Sequence, residues 1–317
     1  MSSILVTGAG GLVGGKVVEY LLKEGIEPVH AIYRHQPAVP VDTNGQLHQH
    51  VLDLTSSREV VQLIDSVRPR LVLHIAAMTN VDACEHTRSL AYAVNAACTS
   101  AIAQTCSAIG VRLLYVSTDY VFDGLDKHPG PYAEDAPVHP LNYYGLTKLQ
   151  GEEAVQMYCM RTGWAICRTS VVYGLGQTAR PNFVLWLLHE LRAGHTVSLV
   201  TNQFSTPTLV DHLATMLIAV GQRRGNGIYH TAGATCLDRW SFALQLAEAF
   251  DLDTSLLKPV TTAELQQRAT RPQRCGLLCD RVNVELGIQP LSVRDGIDML
   301  HVQYTLLEER SDEHARD

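Results

Sequence analysis

Residues Ile4 to Gly15 read ILVTGAGGLVGG, and the reading of this stretch decides the fold. Ile4 to Thr7 form a short apolar strand that runs without a break into Gly8, Gly11 and Gly14, spaced G-x-x-G-x-x-G. Val17, Val18, Leu21 and Leu22 then recur at helical spacing. Strand, glycine turn and helix in that order leave unpaired backbone N–H groups and the positive end of a helix dipole facing one spot, which suits an anion. Glycine is required there because a pyrophosphate must come closer to the backbone than a Cβ permits. Gly8, Gly11, Leu12, Val13 and Gly14 are therefore the candidate cradle for a dinucleotide.

Outward from this stretch, strands and helices alternate. The second strand, VHAIYR, ends at Arg34. In folds of this kind its end reads the adenosine ribose: a carboxylate accepts the 2′-hydroxyl of NAD, whereas an Arg accommodates the 2′-phosphate of NADP. Tyr33, Arg34 and His35 stand there, and the next acid, Asp42, comes well along the loop. NADPH is therefore expected rather than NADH, with Arg34 on the phosphate. The third strand, LHQHVLDL, ends in Asp53 and Leu54, and the fourth, LVLHIAA, ends in Ala76 and Ala77, small enough for a cofactor to pass closely. The fourth is almost wholly apolar, as a parallel strand buried on both faces should be. A helix from Ser89 to Ile109 carries Asn95, which reads as a polar turn or as a buried bracket for a backbone carbonyl beside the cofactor. The fifth strand, RLLYVSTDYVF, delivers Ser117 and Thr118 at its carboxyl end, where open α/β sheets place their chemistry. The pattern is that of an α/β protein with a doubly wound parallel sheet, the Rossmann arrangement.

From His128 to Pro140 four prolines, at 129, 131, 137 and 140, exclude helix and central strand; this stiff connection is expected to rim the site. Next comes PLNYYGLTKLQGEE, Pro140 to Glu153, with Tyr144 and Lys148 four apart at the head of a helix. That spacing puts both side chains on one face. A phenol with a free pKa near 10 is a poor acid at neutral pH unless a fixed cation stabilises its phenolate, and Lys148 is placed to be that cation. Thr118, Tyr144 and Lys148 make up the candidate catalytic set, a proton-donating group beside a nicotinamide.

After a sixth strand, WAICRTSVVYG from Trp164 to Gly174, the alternation lapses. Residues 1–173, joined by a helix near 209–221, are expected to form the NADP-binding domain; 174–305 to form mainly a smaller, mixed α/β substrate lobe; and 306–317 to form a charged, mobile tail. Within the second lobe, NQFSTPT reads as an irregular turn. The 317 residues, 46% apolar, suffice for a large core. A formal charge of −7 without a basic cluster argues against nucleic acid as a partner. Apolar runs are strand-sized, which argues against a membrane, and no basic-then-apolar leader opens the chain, so a cytoplasmic protein is expected. Eight cysteines without metal spacing read as reduced residues, and no metal site is expected. The oligomeric state is left open, a homodimer included.

The motifs HIAAMTNVDACE, STDYVFDG, PYAED, YGLTKLQGE, RTSVVYG, NFV, NQFSTPT and RPQRCGLL resemble the extended short-chain dehydrogenase/reductases, and within them the dTDP-4-dehydrorhamnose reductase family, from Val6 to about Leu278. The resemblance implies a sugar-nucleotide 4-ketoreductase. Tyr144 would give a proton to the carbonyl oxygen, Lys148 would bind the nicotinamide ribose and Thr118 would hydrogen-bond the carbonyl. Thr79, Tyr120, Asn182, Gln203 and Arg271 would lie near sugar or nucleotide. So would Val171, which stands where the family usually has Trp, while Asn202 and Ser205 replace its Asp and Gly in NQFSTPT. These departures put the hexose in doubt. Sugar-nucleotide 4,6-dehydratases share the scaffold but resemble a Thr-Asp-Glu pattern where this chain has Thr118-Asp119-Tyr120, so the resemblance favours simple reduction. An alternative of another class is a regulatory subunit, since the β subunit of methionine adenosyltransferase resembles this same family.

Overall fold

The computed structural model describes residues 2–25, 27–37, 45–176, 181–265 and 267–314. Asp42 lies outside the described residues. Six strands come early: β1 (Ile4–Thr7), β2 (Val29–Tyr33), β3 (Leu47–Val51), β4 (Leu71–His74), β5 (Arg112–Thr118) and β6 (Trp164–Thr169). Between them lie α1 (Leu12–Glu24), α2 (Ser57–Val67), α3 (Val81–His86), α4 (Arg88–Tyr92), α5 (Cys98–Ile109) and α6 (Tyr143–Tyr158). The short β7 (Val172–Tyr173), β8 (Val197–Val200), β9 (Phe204–Ser205) and β10 (Thr208–Leu209) follow, with α7 (Phe183–Arg192) and α8 (Val210–Gln222). The chain ends with β11 (Gly227–His230), β12 (Leu237–Asp238), α9 (Arg239–Ala249), β13 (Leu257–Val260), α10 (Thr262–Leu265), α11 (Asp280–Leu286) and α12 (Val293–His314).

The main sheet has seven parallel strands in the order β11-β6-β5-β4-β1-β2-β3. The order reverses at β1, so a crevice opens at the carboxyl ends of β1 and β4, where such sheets bind ligands. On one face Val6, Leu73 and Leu114 pack against Val17 and Leu21 of α1 and Leu213 and Leu217 of α8. On the other, Leu5, Val72 and Leu113 meet Ile64 of α2 and Ile102 and Cys106 of α5. Each such side chain, fully buried, contributes about 1.5–3 kcal/mol. Thus α8 and β11, from the second half of the chain, complete the first domain.

A second core, from Tyr173, Leu187 and Leu188 of α7, Phe242 and Leu246 of α9, and Ile297 and Leu300 of α12, forms the other lobe. The NQFSTPT stretch is more ordered than an irregular turn. Its β9 pairs antiparallel with β12 and its β10 pairs parallel with β7, ladders of two residues that periodicity does not reveal. The charged end of the chain is helical as far as His314.

The strands nearest the crevice stop short of their apolar runs. β4 ends at His74, leaving Ile75–Ala77 outside the ladder, and β6 breaks at Ser170 and Val171 before β7 resumes. Val171 there adopts φ +40°, rare for a β-branched residue. The expected Ser89–Ile109 helix is interrupted by one π turn, Ala93–Ala97, that carries Asn95. The Pro-rich connection does not rim the crevice. It lies along the second lobe instead, with Gly130 N donating to Arg274 O at 2.9 Å and Leu278 N to Tyr132 O at 2.8 Å.

Candidate active site

A cavity of about 830 Å³ runs along the carboxyl ends of the strands, from the glycine turn to the head of α6. At its floor Gly8 sits at φ +76°, where a Cβ would lie 2.8 Å from Ala76 Cα; a Cβ on Gly14 would lie 2.2 Å from Gly8 O. Only glycine lets these backbones meet. Gly11 caps α1 without a side-chain hydrogen bond, so the first amides of the helix stay available to an anion. Two wholly buried hydroxyl oxygens on the lining, Ser117 Oγ and Thr169 Oγ1, have no partner among the described residues. Buried polar atoms are seldom left so, and these point to polar groups of a ligand. The cradle, the free amides and the unpaired hydroxyls fit a dinucleotide.

Arg34, Asp53 and Leu54 line the far end of the cavity, with Arg34 and Asp53 exposed. The Asp53 carboxyl is held below its ordinary range by the Thr55 amide, which donates to it at 2.9 Å, and by Arg34 and His35 nearby.

At the other end, the Asn142 side chain caps α6, accepting from Gly145 N at 2.8 Å, and so fixes where the helix starts. One turn on, Lys148, only 2% exposed, donates from Nζ to Val116 O at 2.7 Å and lies 4.1 Å over the Tyr115 ring. Burial pushes its pKa down to about 7 against the pull of Glu152. Glu152, a further turn along, forms a buried bidentate pair with Arg168 at 2.7 and 3.0 Å. Tyr144 is buried too, and burial raises its pKa while a hydrogen bond with the Thr118 side chain draws it back. Thr118, Tyr144 and Lys148 all face the cavity.

A polar network holds these groups from behind. Buried His74 is hydrogen-bonded to Thr7 Oγ1 at 2.8 Å and Thr99 Oγ1 at 2.9 Å, and Thr7 Oγ1 accepts from the amides of Ile75 and Ala76, fixing the wall over Gly8. Desolvation lowers the His74 pKa to about 3, so it stays neutral.

Gly8, Gly11, Leu12, Val13, Gly14, Ala76 and Ala77 all line the cavity, as do Thr79, Tyr120 and Val171. Asn95 does not. Its Oδ1 accepts from Met78 N at 2.8 Å and its Nδ2 donates to Met78 O at 3.1 Å and to Thr147 Oγ1 at 3.1 Å, so it is the bracket, shaping the wall from outside. Asn182, Gln203 and Arg271 are also off the cavity wall. Asn182 caps α7 and donates to Gly174 O, Gln203 donates to Gln267, and Arg271 pairs with Asp82 at 2.7 Å. Sequence reasoning passed over Asp119, a cavity-lining carboxyl of which 3% is exposed, and Arg239, whose charge acts on Asp119 and Tyr120 from α9. Asp119 was legible as the neighbour of Thr118; nothing in the local sequence announces Arg239. Among the described residues no group of side chains is placed to hold a metal, and no helix is long and apolar enough to cross a membrane.

A glycine turn after β1, a Tyr-x-x-x-Lys helix after β5 and a second lobe built after β6 together define an extended short-chain dehydrogenase/reductase. Within that class the chain belongs to the family of the RmlD substrate binding domain, which it matches over residues 1–305. It is 33% identical to a probable low-salt glycan biosynthesis reductase of Haloferax volcanii, covering 95% of this chain and 97% of that one. It is 31% identical to methionine adenosyltransferase 2 subunit beta of Xenopus laevis, over 90% and 82% of the two chains. Among solved structures it is similar to a dTDP-4-dehydrorhamnose reductase from Bacillus anthracis in complex with NADP, with a TM-score of 0.82, 27% identity, and coverage of 96% and 100%.

Proposed function

We propose that this protein reduces the 4-keto group of a nucleotide-activated 6-deoxyhexose with NADPH, in the cytoplasm. The observation that carries the reading is the convergence of Thr118, Tyr144 and Lys148 on the cavity that the glycine turn opens. Bound NADPH supplies the hydride. The amides after Gly11 hold its pyrophosphate, Arg34 its 2′-phosphate, and Lys148 its nicotinamide ribose. Asp53, Leu54, Ala76 and Ala77 shape the walls around it. Tyr144 gives its proton to the sugar oxygen as charge develops there, and the Lys148 cation and the Thr118 hydroxyl stabilise the phenolate left behind. Thr79, Tyr120 and Val171 contact the sugar from the first domain, and Asn182, Gln203 and Arg271 lie toward the sugar or nucleotide from the second lobe. The NADP complex of the Bacillus anthracis relative supports the choice of cofactor.

A second reading, a cofactor-binding subunit without turnover, draws on the 31% identity with methionine adenosyltransferase 2 subunit beta. One experiment separates the two. Purified protein is incubated with NADPH and a panel of dTDP- and GDP-linked 4-keto-6-deoxyhexoses, and loss of reduced nicotinamide is followed. Consumption with one donor sugar is expected; none with any, while NADPH still binds, favours the subunit.

A further inference from the structure

Asp119 sits between the two hydroxyls that enter the cavity floor. Its Oδ1 accepts from Thr118 Oγ1 at 3.0 Å and its Oδ2 from Ser170 Oγ at 2.6 Å. Its own carbonyl accepts from Cys275 Sγ at 2.9 Å, which ties the turn to the second lobe. Thr118 Oγ1 also accepts from Tyr120 N at 3.2 Å and lines the cavity together with Tyr144. We propose that Asp119 is a positioning residue for the reduction: it decides whether the single proton of the Thr118 hydroxyl points inward, or outward to Tyr144 and the sugar oxygen. The proposal rests on the reductase reading above.

A hydroxyl has one proton and two lone pairs. While Asp119 is a carboxylate it can only accept, so Thr118 spends its proton inward. Thr118 then presents only a lone pair to Tyr144 and has no proton to donate to the phenolate that forms. With Asp119 protonated on Oδ1 and Ser170 donating to Oδ2, the acid proton is donated to Thr118. Thr118 then accepts from Asp119 and Tyr120 N and turns its own proton outward. Only this second arrangement stabilises the developing alkoxide and the phenolate.

The surroundings put that switch within reach of working pH. Burial raises the Asp119 pKa to about 6, against the hydrogen bonds from Ser170 and Thr118 and the charge of Arg239 on α9. The other titratable groups coupled to it are Tyr144 on α6, Tyr120 beside it, and the thiols of Cys236 and Cys275. An anionic sugar nucleotide entering the cavity adds negative charge and excludes water, both of which favour the neutral acid.

The test is kcat against pH for the wild type, Asp119→Asn and Thr118→Val, with the 4-keto sugar nucleotide that supports turnover. In the wild type kcat is expected to fall by about tenfold per pH unit above the Asp119 ionisation until it reaches the level of Thr118→Val. In Asp119→Asn the amide oxygen is expected to take the place of Oδ2 opposite the Ser170 hydroxyl, so that the NH2 group donates permanently to Thr118 and the falling limb disappears. A limb that persists in Asp119→Asn, or an Asn variant as slow as Thr118→Val at every pH, overturns the proposal. A wild type without turnover defeats the reductase reading by itself, and a second measurement then still decides. The Tyr144 phenol is titrated by absorbance as the difference from Tyr144→Phe, in Asp119→Asn and Asp119→Leu. Both variants remove the charge, but only Asn frees the Thr118 proton for the phenolate, so the Asn variant is expected to ionise at the lower pH; equal shifts overturn the proposal.

Discussion

Thr118, Asp119, Tyr144 and Lys148, at one end of the cavity, are each less than a tenth exposed, whereas Arg34 and Asp53, at the other end, stand in solvent. The buried end moves pKa values mainly by withholding water: down for Lys148, up for Asp119 and Tyr144. At the exposed end, Asp53 is shifted mainly by a single backbone hydrogen bond. Desolvation carries Lys148 and Asp119 toward neutral pH and Tyr144 away from it, and salt screens little of this. An exposed charge is already solvated and acts on ligands through contacts that salt weakens. On the proposed function the two ends divide the work: chemistry where water is excluded, discrimination where it is not.

The largest effect expected from this division is at Tyr144. Tyr144→Phe keeps the ring and removes the acid, so kcat is expected to fall by about 10²–10⁴-fold while NADPH affinity stays within about twofold. Steady-state rates and a binding titration check this, and a variant keeping a tenth of the rate would show that the buried end is not where the proton comes from.

Next comes Lys148. Lys148→Met is expected to lower kcat by about 10²-fold and to weaken NADPH binding as well. It also has a signature in stability. With its folded pKa near 7, Lys148 is less protonated in the native state than in the unfolded chain, where it titrates near 10.4. Unfolding takes up a proton between those values, so the Lys148 contribution makes the protein more stable as pH rises from about 7 to about 10. Urea denaturation across that window should show a shallower rise in the variant. Parallel curves would mean that burial does not depress Lys148.

The smallest effect belongs to the exposed end. Arg34→Ala is expected to weaken NADPH about tenfold and leave NADH almost untouched, with the NADPH loss shrinking as salt is raised. Dissociation constants for both cofactors, at two ionic strengths, check it. Equal weakening of the two would show that Arg34 does not discriminate at all.

How far the sequence led follows the same division. The glycine turn and the Tyr144–Lys148 helix were legible because their chemistry depends on local spacing, and local spacing is what a sequence displays. The parallel sheet was legible because its buried strands must be almost wholly apolar. The short strands of the carboxyl-terminal lobe were not, since β9 and β10 are two residues long and are held by partners far along the chain. Asn182, Gln203 and Arg271 sit in hydrogen bonds within the protein rather than on the cavity wall, and only three-dimensional packing reveals that. Ser170 and Asp119, 51 positions apart, became a pair only once β5 and β6 were laid side by side.

Asn142 has a consequence for anyone assembling enzymes from parts. Its amide oxygen finishes the helix that carries Tyr144, while its amide nitrogen donates to the backbone carbonyl of Thr270 in the second lobe, at 2.9 Å. That carbonyl tells the amide which way round to sit; without it the group can flip, present NH2 to Gly145 N, and forfeit a cap worth about 1 kcal/mol. The two lobes are therefore not interchangeable modules. A chimaera that grafts a relative's carboxyl-terminal lobe onto this sheet keeps the cap of the Tyr144 helix only if the donor places a main-chain oxygen where Thr270 has one, whatever side chain it carries there.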